Sequence, residues 1–333
     1  MNKKAFIPKT YRPSVPGSKL QSLSISLDKE NFSSSKTTST CVILISAKDD
    51  IVPHHFLKEI DSRVYIKHLF YDDLGIDWDF SFSNGVLKIH LKELVIMASA
   101  IYHRHPGIYK EHPYYYKHVA LFEVLDIWKG SLIGQKRDHY HNFSKAYQGI
   151  TSIKNAAKAA GNQIVKYPRS FFLKGDFRLL KNRYEGSLIV KSCSNIRSKV
   201  VSDEIFNQWD LENTSHLPTL FQEKIDGIDI RVHVCGKTIW SLMVENKDCI
   251  DYRYASKGTI KYKQVQLPKE INVFCKSVAQ YETNQLIGVD LMKSGNVYFC
   301  LESNPGPGWS TFNHSSKTEF AKNVLSKLSR RKS

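Results

Sequence analysis

Two carboxylates and a carboxamide near the C-terminus have the types and the spacing to hold a divalent cation. Asp290 stands in the apolar run IGVDLM, and Glu302 and Asn304 close a second run, YFCLESN, just before Pro-Gly-Pro-Gly. The two runs read as strands of a hairpin turning at Ser294–Asn296. A three-residue loop there would set Asp290 opposite Cys300 and diagonal to Glu302, on one face of the ribbon. Asn304 continues that face by the two-residue period of a strand. Such a set of hard oxygen donors suits Mg2+, whose usual partners include nucleotide phosphates. A two-residue loop would instead turn Asp290 to the other face. Two solvated acids are the plainer reading, but a charge inside apolar strand sequence is costly unless paired or bound to metal. The Pro-Gly-Pro-Gly that follows ends the strand and permits close approach of backbone to a ligand.

The elements that must position these groups are readable in outline. TLFQEKIDGIDIRVHVCGKTIWSLMVEN alternates so that Ile228, Ile230, Val232 and Val234 share one face and Asp229, Arg231 and His233 the other, with a turn at Cys235-Gly236-Lys237. EGSLIVKSCSNIRS reads as a strand carrying Lys191 into a small-residue, basic loop against which a phosphate could lie. VFCKSVAQYETNQ reads as a helix. Earlier, SIKNAAKAAG is an alanine-rich helix with Ser152 placed to cap it and Gly161 to end it. Folding begins near Cys41 with CVILIS as a buried strand, VPHHFLKEIDS as a helix and VYIKHLF as a strand, the alternation of an α/β unit. WDFSFSNGVLKIHL reads as a hairpin turning on Asn84-Gly85, LVIMASAIY as one further buried strand, and Pro113 to Leu132 as helical.

Composition narrows the class. The chain has 333 residues, 41% hydrophobic and 24% charged, enough for two or three compact units. The six cysteines form no CxxC pair and read as reduced thiols, and no apolar run reaches the length of a membrane span, so a cytoplasmic protein is expected. A net charge of +16 implies an anionic partner, but the lysines and arginines are spread along the chain, which disfavours nucleic acid. Residues 1–38 are poor in apolar groups and rich in Ser and Thr, the composition of a flexible arm. His103-x-His105 and His139-x-His141 have a zinc-like spacing without a recognisable third ligand, and Cys193 lacks a partner base. KSCSNIRS lacks the P-loop pattern, and no GxGxxG follows a strand.

The stretch GVDLMKSGNVYFCLESNPGPGW resembles the C-terminal metal motif of ATP-grasp carboxylate-amine ligases, a strand with Asp, a turn, and a strand ending in Glu-x-Asn-Pro. LIVKSCSN is similar to the strand bearing their ATP-phosphate lysine, FQEKI to the adenine hinge, and DIRVHVCGKTIWS to the strand pair after it. DYRY resembles the Asp-Trp-Arg element of the graspetide (microviridin-type) peptide ligases, with Tyr252 in place of Trp, and IYHRHPG looks like part of their N-terminal domain. The similarity runs over roughly residues 40 to 325 with its parts in order.

The resemblance implies an α/β, ATP-grasp fold: an arm over 1–38, an N-terminal α/β pre-ATP-grasp domain over 39–133, a central lid subdomain over 134–217 and a catalytic subdomain over 218–333. It implies ATP and Mg2+ as cofactors. Carried over by motif, Asp290, Glu302 and Asn304 bind the metal, Lys191 contacts ATP phosphates, Glu223 and Ile225 hold adenine, and Asp229 sits by the ribose. Arg231 and Arg253 face the reacting phosphate and carboxylate. A second ATP-contacting lysine is expected upstream, Lys145 in SKAYQ being favoured over Lys154. Phosphoryl transfer needs charge neutralisation and positioning more than a strong base, which matches metal ligands plus Lys and Arg rather than a Ser-His-Asp triad. The implied reaction joins a carboxylate to an amine or hydroxyl through an acyl phosphate. The positive charge points to an acidic peptide or protein as substrate, and a homodimer is common in the family resembled. A small-molecule amino-acid ligase, and an inactive basic relative that binds nucleic acid, are the alternatives.

Overall fold

The computed structural model describes residues 41–60, 64–104, 113–134, 149–161, 164–173, 187–192, 199–201, 219–245, 260–282, 285–309 and 314–329. Residues Ser39–Ser333 make one compact unit.

The chain enters a parallel sheet as β1 (Val42–Ser46), every residue buried, passes through α1 (Ile51–Glu59) and returns as β2 (Ile66–Phe70). Asp50 caps α1, its carboxylate accepting the Val52 N–H at 3.0 Å. β3 (Trp78–Ser83) and β4 (Val86–Leu91) form the expected hairpin, and Asn84 and Gly85 take φ values of 50° and 79° in its turn. The stretch 94–102, expected as one strand, is two. β5 (Val95–Met97) extends the hairpin sheet, whereas β6 (Ala100–His103) lies parallel to β1. Ile96 alone is buried in β5, while all four residues of β6 are, so one apolar run serves two sheets. α2 (Tyr115–Ile127) also ends earlier than expected. Trp128 turns extended, and β7 (Ser131–Gly134) buries Leu132 and Ile133 as the outer strand of the sheet β2-β1-β6-β7.

A π-helical turn, Gly149–Ile153, leads into α3 (Lys154–Ala159). Ser152 is buried inside that turn and is not a cap, because the helical backbone begins before it; Gly161, at φ 95°, ends the helix as its type suggests. After β8 (Val165–Lys166), the strands β9 (Ser170–Leu173), β10 (Leu188–Ser192), β11 (Lys199–Val201) and β12 (Thr219–Glu223) form an antiparallel sheet ordered β11-β10-β12-β9.

The largest sheet among the described residues follows. It is built from β13 (Ile228–Cys235), β14 (Thr238–Glu245), β15 (Lys261–Gln264), β16 (Leu286–Ser294) and β17 (Val297–Asn304), with α4 (Lys269–Tyr281) between β15 and β16. The order is β15-β14-β13-β16-β17-β8. Its alternation sorts the faces as the sequence suggests. Ile230, Val232, Val234, Val289 and Leu291 pack on Ile271, Phe274 and Val278 of α4. On the other face, Cys235, Trp240 and Leu286 meet Phe320 and Val324 of α5 (His314–Ser329) in one core with Val42, Leu44, Phe56 and Tyr102. Each such fully buried side chain, Phe320 for instance, contributes roughly 1.5–3 kcal/mol. That shared core fixes the parallel sheet against the end of the large one. The rest of the face carries the polar residues described next. Among the described residues no helix is long and apolar enough to cross a membrane.

Candidate active site

The stretch expected to bind metal lies where β16 and β17 are irregular. Ser294 pairs with Val297, so the turn has two residues, Gly295 and Asn296, and not the expected three. With a regular ladder Asp290 would then face away from Glu302. A β-bulge intervenes: Leu291 pairs with Cys300, but Asp290 pairs with Glu302, leaving Leu301 as the extra residue. The bulge flips β17 beyond it, so Asp290 and Glu302 share a face after all. Asn304, opposite Gly288, continues that face. The expected grouping holds through a different irregularity from the one the spacing suggested.

Two cations close on this face. Arg231 pairs with Asp290 across β13 and β16, and its Nη1 donates to both carboxylate oxygens at 2.5 Å. Lys191 comes from the other sheet. It is only 5% exposed, its Nζ donates to the carbonyl of bulged Leu301 at 3.2 Å, and it stands 3.7 Å from Glu302 Oε2. A buried ammonium needs such partners, and the bulge supplies one by turning a main-chain carbonyl out of the ladder. Asp229 lies two residues before Arg231 on the same face, opposite Val244 and Met292. Glu223 ends β12; its N–H donates to the Arg169 carbonyl at 2.8 Å, and its carboxylate accepts the Arg169 N–H at 3.2 Å. Ile225, half-buried, lies in the link between β12 and β13. Lys154 is exposed on α3. Lys145 and Arg253, together with Cys193, His105, His139 and His141, lie outside the described residues.

The segment leaving Asn304 is held at successive groups. Asn304 Oδ1 accepts the Gly306 N–H at 3.0 Å, Arg104 Nη1 donates to the Pro307 carbonyl at 3.0 Å, and His233 Nε2–H donates to the Gly308 carbonyl at 2.8 Å. Trp309 is fully buried, its Nε1–H directed at Tyr102 Oη at 3.5 Å. The segment lies close over the sheet at Gly288, where an added Cβ would meet Pro307 Cβ at 2.9 Å and Arg231 Nη2 at 3.4 Å. His233 is pushed down to about 3, first by burial and then by the charge of Arg231, so its imidazole is neutral and its one N–H serves Gly308. Arg104 and the role of His233 are not evident in the sequence. Arg104 lies 54 residues from Asp50 and 203 from Pro307, and no local pattern links them.

The donors fit a hard cation beside phosphate. Asp290, Glu302 and Asn304 offer oxygens only, and the flanking Lys191 and Arg231 suit a polyanion. Among the described residues there is no group of three His, Cys, Asp or Glu side chains placed to hold a metal ion.

Residues 196–328 match the family model of the RimK-like ATP-grasp domain. The fold is the ATP-grasp fold. It is similar to that of macrocyclase MdnC bound with precursor peptide MdnA from Microcystis aeruginosa MRC, at a TM-score of 0.66 and 15% identity over 86% of this chain and 99% of that one. It is similar also to the ATP-grasp ligase PsnB complexed with minimal precursor, Mg and ADP (TM-score 0.65, 17% identity, 89% of this chain, 100% of that one). A third similar structure is the RiPP-associated ATP-grasp ligase of Chryseobacterium gregarium in complex with ADP and a leader and core peptide (TM-score 0.61, 15% identity, 87% of this chain, 96% of that one). No curated protein matches the chain.

Proposed function

We propose that this protein is an ATP- and Mg2+-dependent ligase that joins a carboxylate to an amine or hydroxyl on an acidic peptide substrate. The observation that carries the reading is the convergence of Asp290, Glu302 and Asn304 on one face, with Lys191 and Arg231 beside them. The three oxygen donors hold the cation, which neutralises charge on the nucleotide phosphates. Lys191 binds phosphate oxygens, the Glu223–Ile225 link takes the adenine, and Asp229 stands by the ribose. Arg231, and Arg253 from outside the described residues, orient the substrate carboxylate toward the γ-phosphorus. A carboxylate oxygen bonds to that phosphorus as the bond to ADP breaks. The amine or hydroxyl then adds to the acyl carbon, phosphate leaves, and the nucleophile's proton passes to solvent.

The similar structures hold ADP, Mg and precursor, leader or core peptides, which favours a nucleotide and a peptide for this chain too. The net charge of +16 favours an acidic one. Incubation of the protein with MgATP and Asp- and Glu-rich peptides should produce ADP and a peptide lighter by one water per bond formed. ADP release with free amino acids, and none with any peptide, would overturn the peptide reading.

A further inference from the structure

The parallel sheet β2-β1-β6-β7 reverses its winding at β1, which has β2 on one side and the later β6 on the other. Open parallel sheets receive ligands beyond the carboxyl ends of their strands at such a point. Here the chain's own segment, Pro305–Trp309, lies there. Arg104 follows β6 directly, its N–H donating to the Ile45 carbonyl near the end of β1 at 2.8 Å. Its guanidinium forks onto the α1 cap, Nε to Asp50 Oδ2 at 2.6 Å and Nη2 to Oδ1 at 3.4 Å, and Nη1 is left to take Pro307. The pair is 10% and 19% exposed, so little water competes with it. Three directed bonds from one planar group define an orientation that a lysine ammonium on a flexible stem does not.

We propose that Arg104 is a positioning residue: from the parallel sheet it holds the Pro305–Trp309 segment and thereby sets the carboxamide of Asn304 for the metal. This rests on the ligase reading for the metal role of Asn304. The link is short. Asn304 Oδ1 is fixed by the Gly306 N–H, and Gly306 precedes the residue that Arg104 grips. Releasing Pro307 frees Gly306 and lets the carboxamide rotate away from the face it shares with Asp290 and Glu302. Groups that orient a metal ligand in this way commonly change metal affinity by about 10–100-fold when removed.

The test compares full-length wild type with Arg104→Met and Arg104→Lys, by amide hydrogen exchange and by calorimetric binding of ADP titrated with Mg2+. Both variants should raise exchange at the amides of Gly306, Gly308 and Trp309, the N–H groups this segment has, and leave β16 and the buried strand β1 protected. Both should raise the Mg2+ needed for half-maximal ADP binding by about 10–100-fold, with metal-free ADP binding unchanged. Should Arg104→Met not fold, Arg104→Lys carries the same comparison, since it retains the charge opposite Asp50. Unchanged exchange at 305–309 overturns the clamp. Raised exchange with an unchanged Mg2+ requirement overturns its action on Asn304. If wild type itself binds no ADP with Mg2+, the ligase reading falls and the metal role with it, and exchange alone still decides whether Arg104 holds the segment.

Discussion

Arg231 Nη1 stands 2.5 Å from both oxygens of Asp290, on adjacent strands of the largest described sheet, so each of the two residues keeps the other tolerable in a half-buried place. The Arg231 and Asp290 side chains are 15% and 21% exposed. Breaking a fully buried pair costs about 3–5 kcal/mol, and partial solvent access reduces that here to about 1–3 kcal/mol. Arg231→Met is therefore expected to lower the urea midpoint clearly. Asp290→Asn with Arg231→Met should recover part of that loss, because no lone carboxylate remains. A double-mutant cycle in urea checks it, and strictly additive effects would contradict the pairing.

Glu302→Gln keeps the size of the side chain and removes the negative charge beside Lys191. The variant should fold, with unchanged far-UV circular dichroism, yet lose ATP turnover by about 100-fold or more. Full turnover in a folded Glu302→Gln protein would overturn the proposed metal role of Glu302.

His233 and His68 give the fold an acid limit. Burial lowers His233 to about 3 and His68 to about 4, against an ordinary value of 6.5. Below pH 6.5 the unfolded chain takes up protons that the folded chain refuses. Their contribution is complete above 6.5 and is lost as pH falls through 4 and 3. The urea midpoint should drop over that window, and His233→Gln should show a shallower drop than wild type. An equal slope in the variant would exclude His233 as a source.

Gly85, at φ 79°, has nothing within 4 Å of an added Cβ, so any cost of Gly85→Ala is conformational. The expected loss is about 1–2 kcal/mol, read as a lower thermal midpoint with ATP turnover retained. Asn84→Gly, at φ 50°, should be nearly neutral.

What the sequence could show depended on how far apart the interacting groups lie. The faces of β13 and the β3–β4 turn followed from two-residue alternation and from Asn-Gly, which are local facts. The division of residues 94–102 between β5 and β6 did not, because both halves are apolar and only the tertiary partners differ. The face proposed for the metal is legible in composition and not in mechanism. Asp290, Glu302 and Asn304 were grouped by assuming an odd loop, whereas the turn is even and the bulge at Leu301 does the regrouping. Bulges leave no firm mark in a single strand's sequence. Arg104 was invisible because its partners, Asp50 and Pro307, come from distant parts of the chain.

The bulge has a bearing on which length changes this hairpin can accept. Residues 291–301 separate Asp290 from Glu302, an odd number, and two facing residues of an antiparallel pair joined by an even turn must be separated by an even number unless one residue stands outside the ladder. Leu301 is that residue, and its displaced carbonyl is the one Lys191 uses. An insertion in the Gly295-Asn296 turn that leaves Ser294 opposite Val297 should therefore be accepted, because it adds chain outside the ladder and leaves Asp290 opposite Glu302. Deleting Leu301 itself would make the ladder regular with Asp290 still opposite Glu302, and would leave Lys191 without that carbonyl.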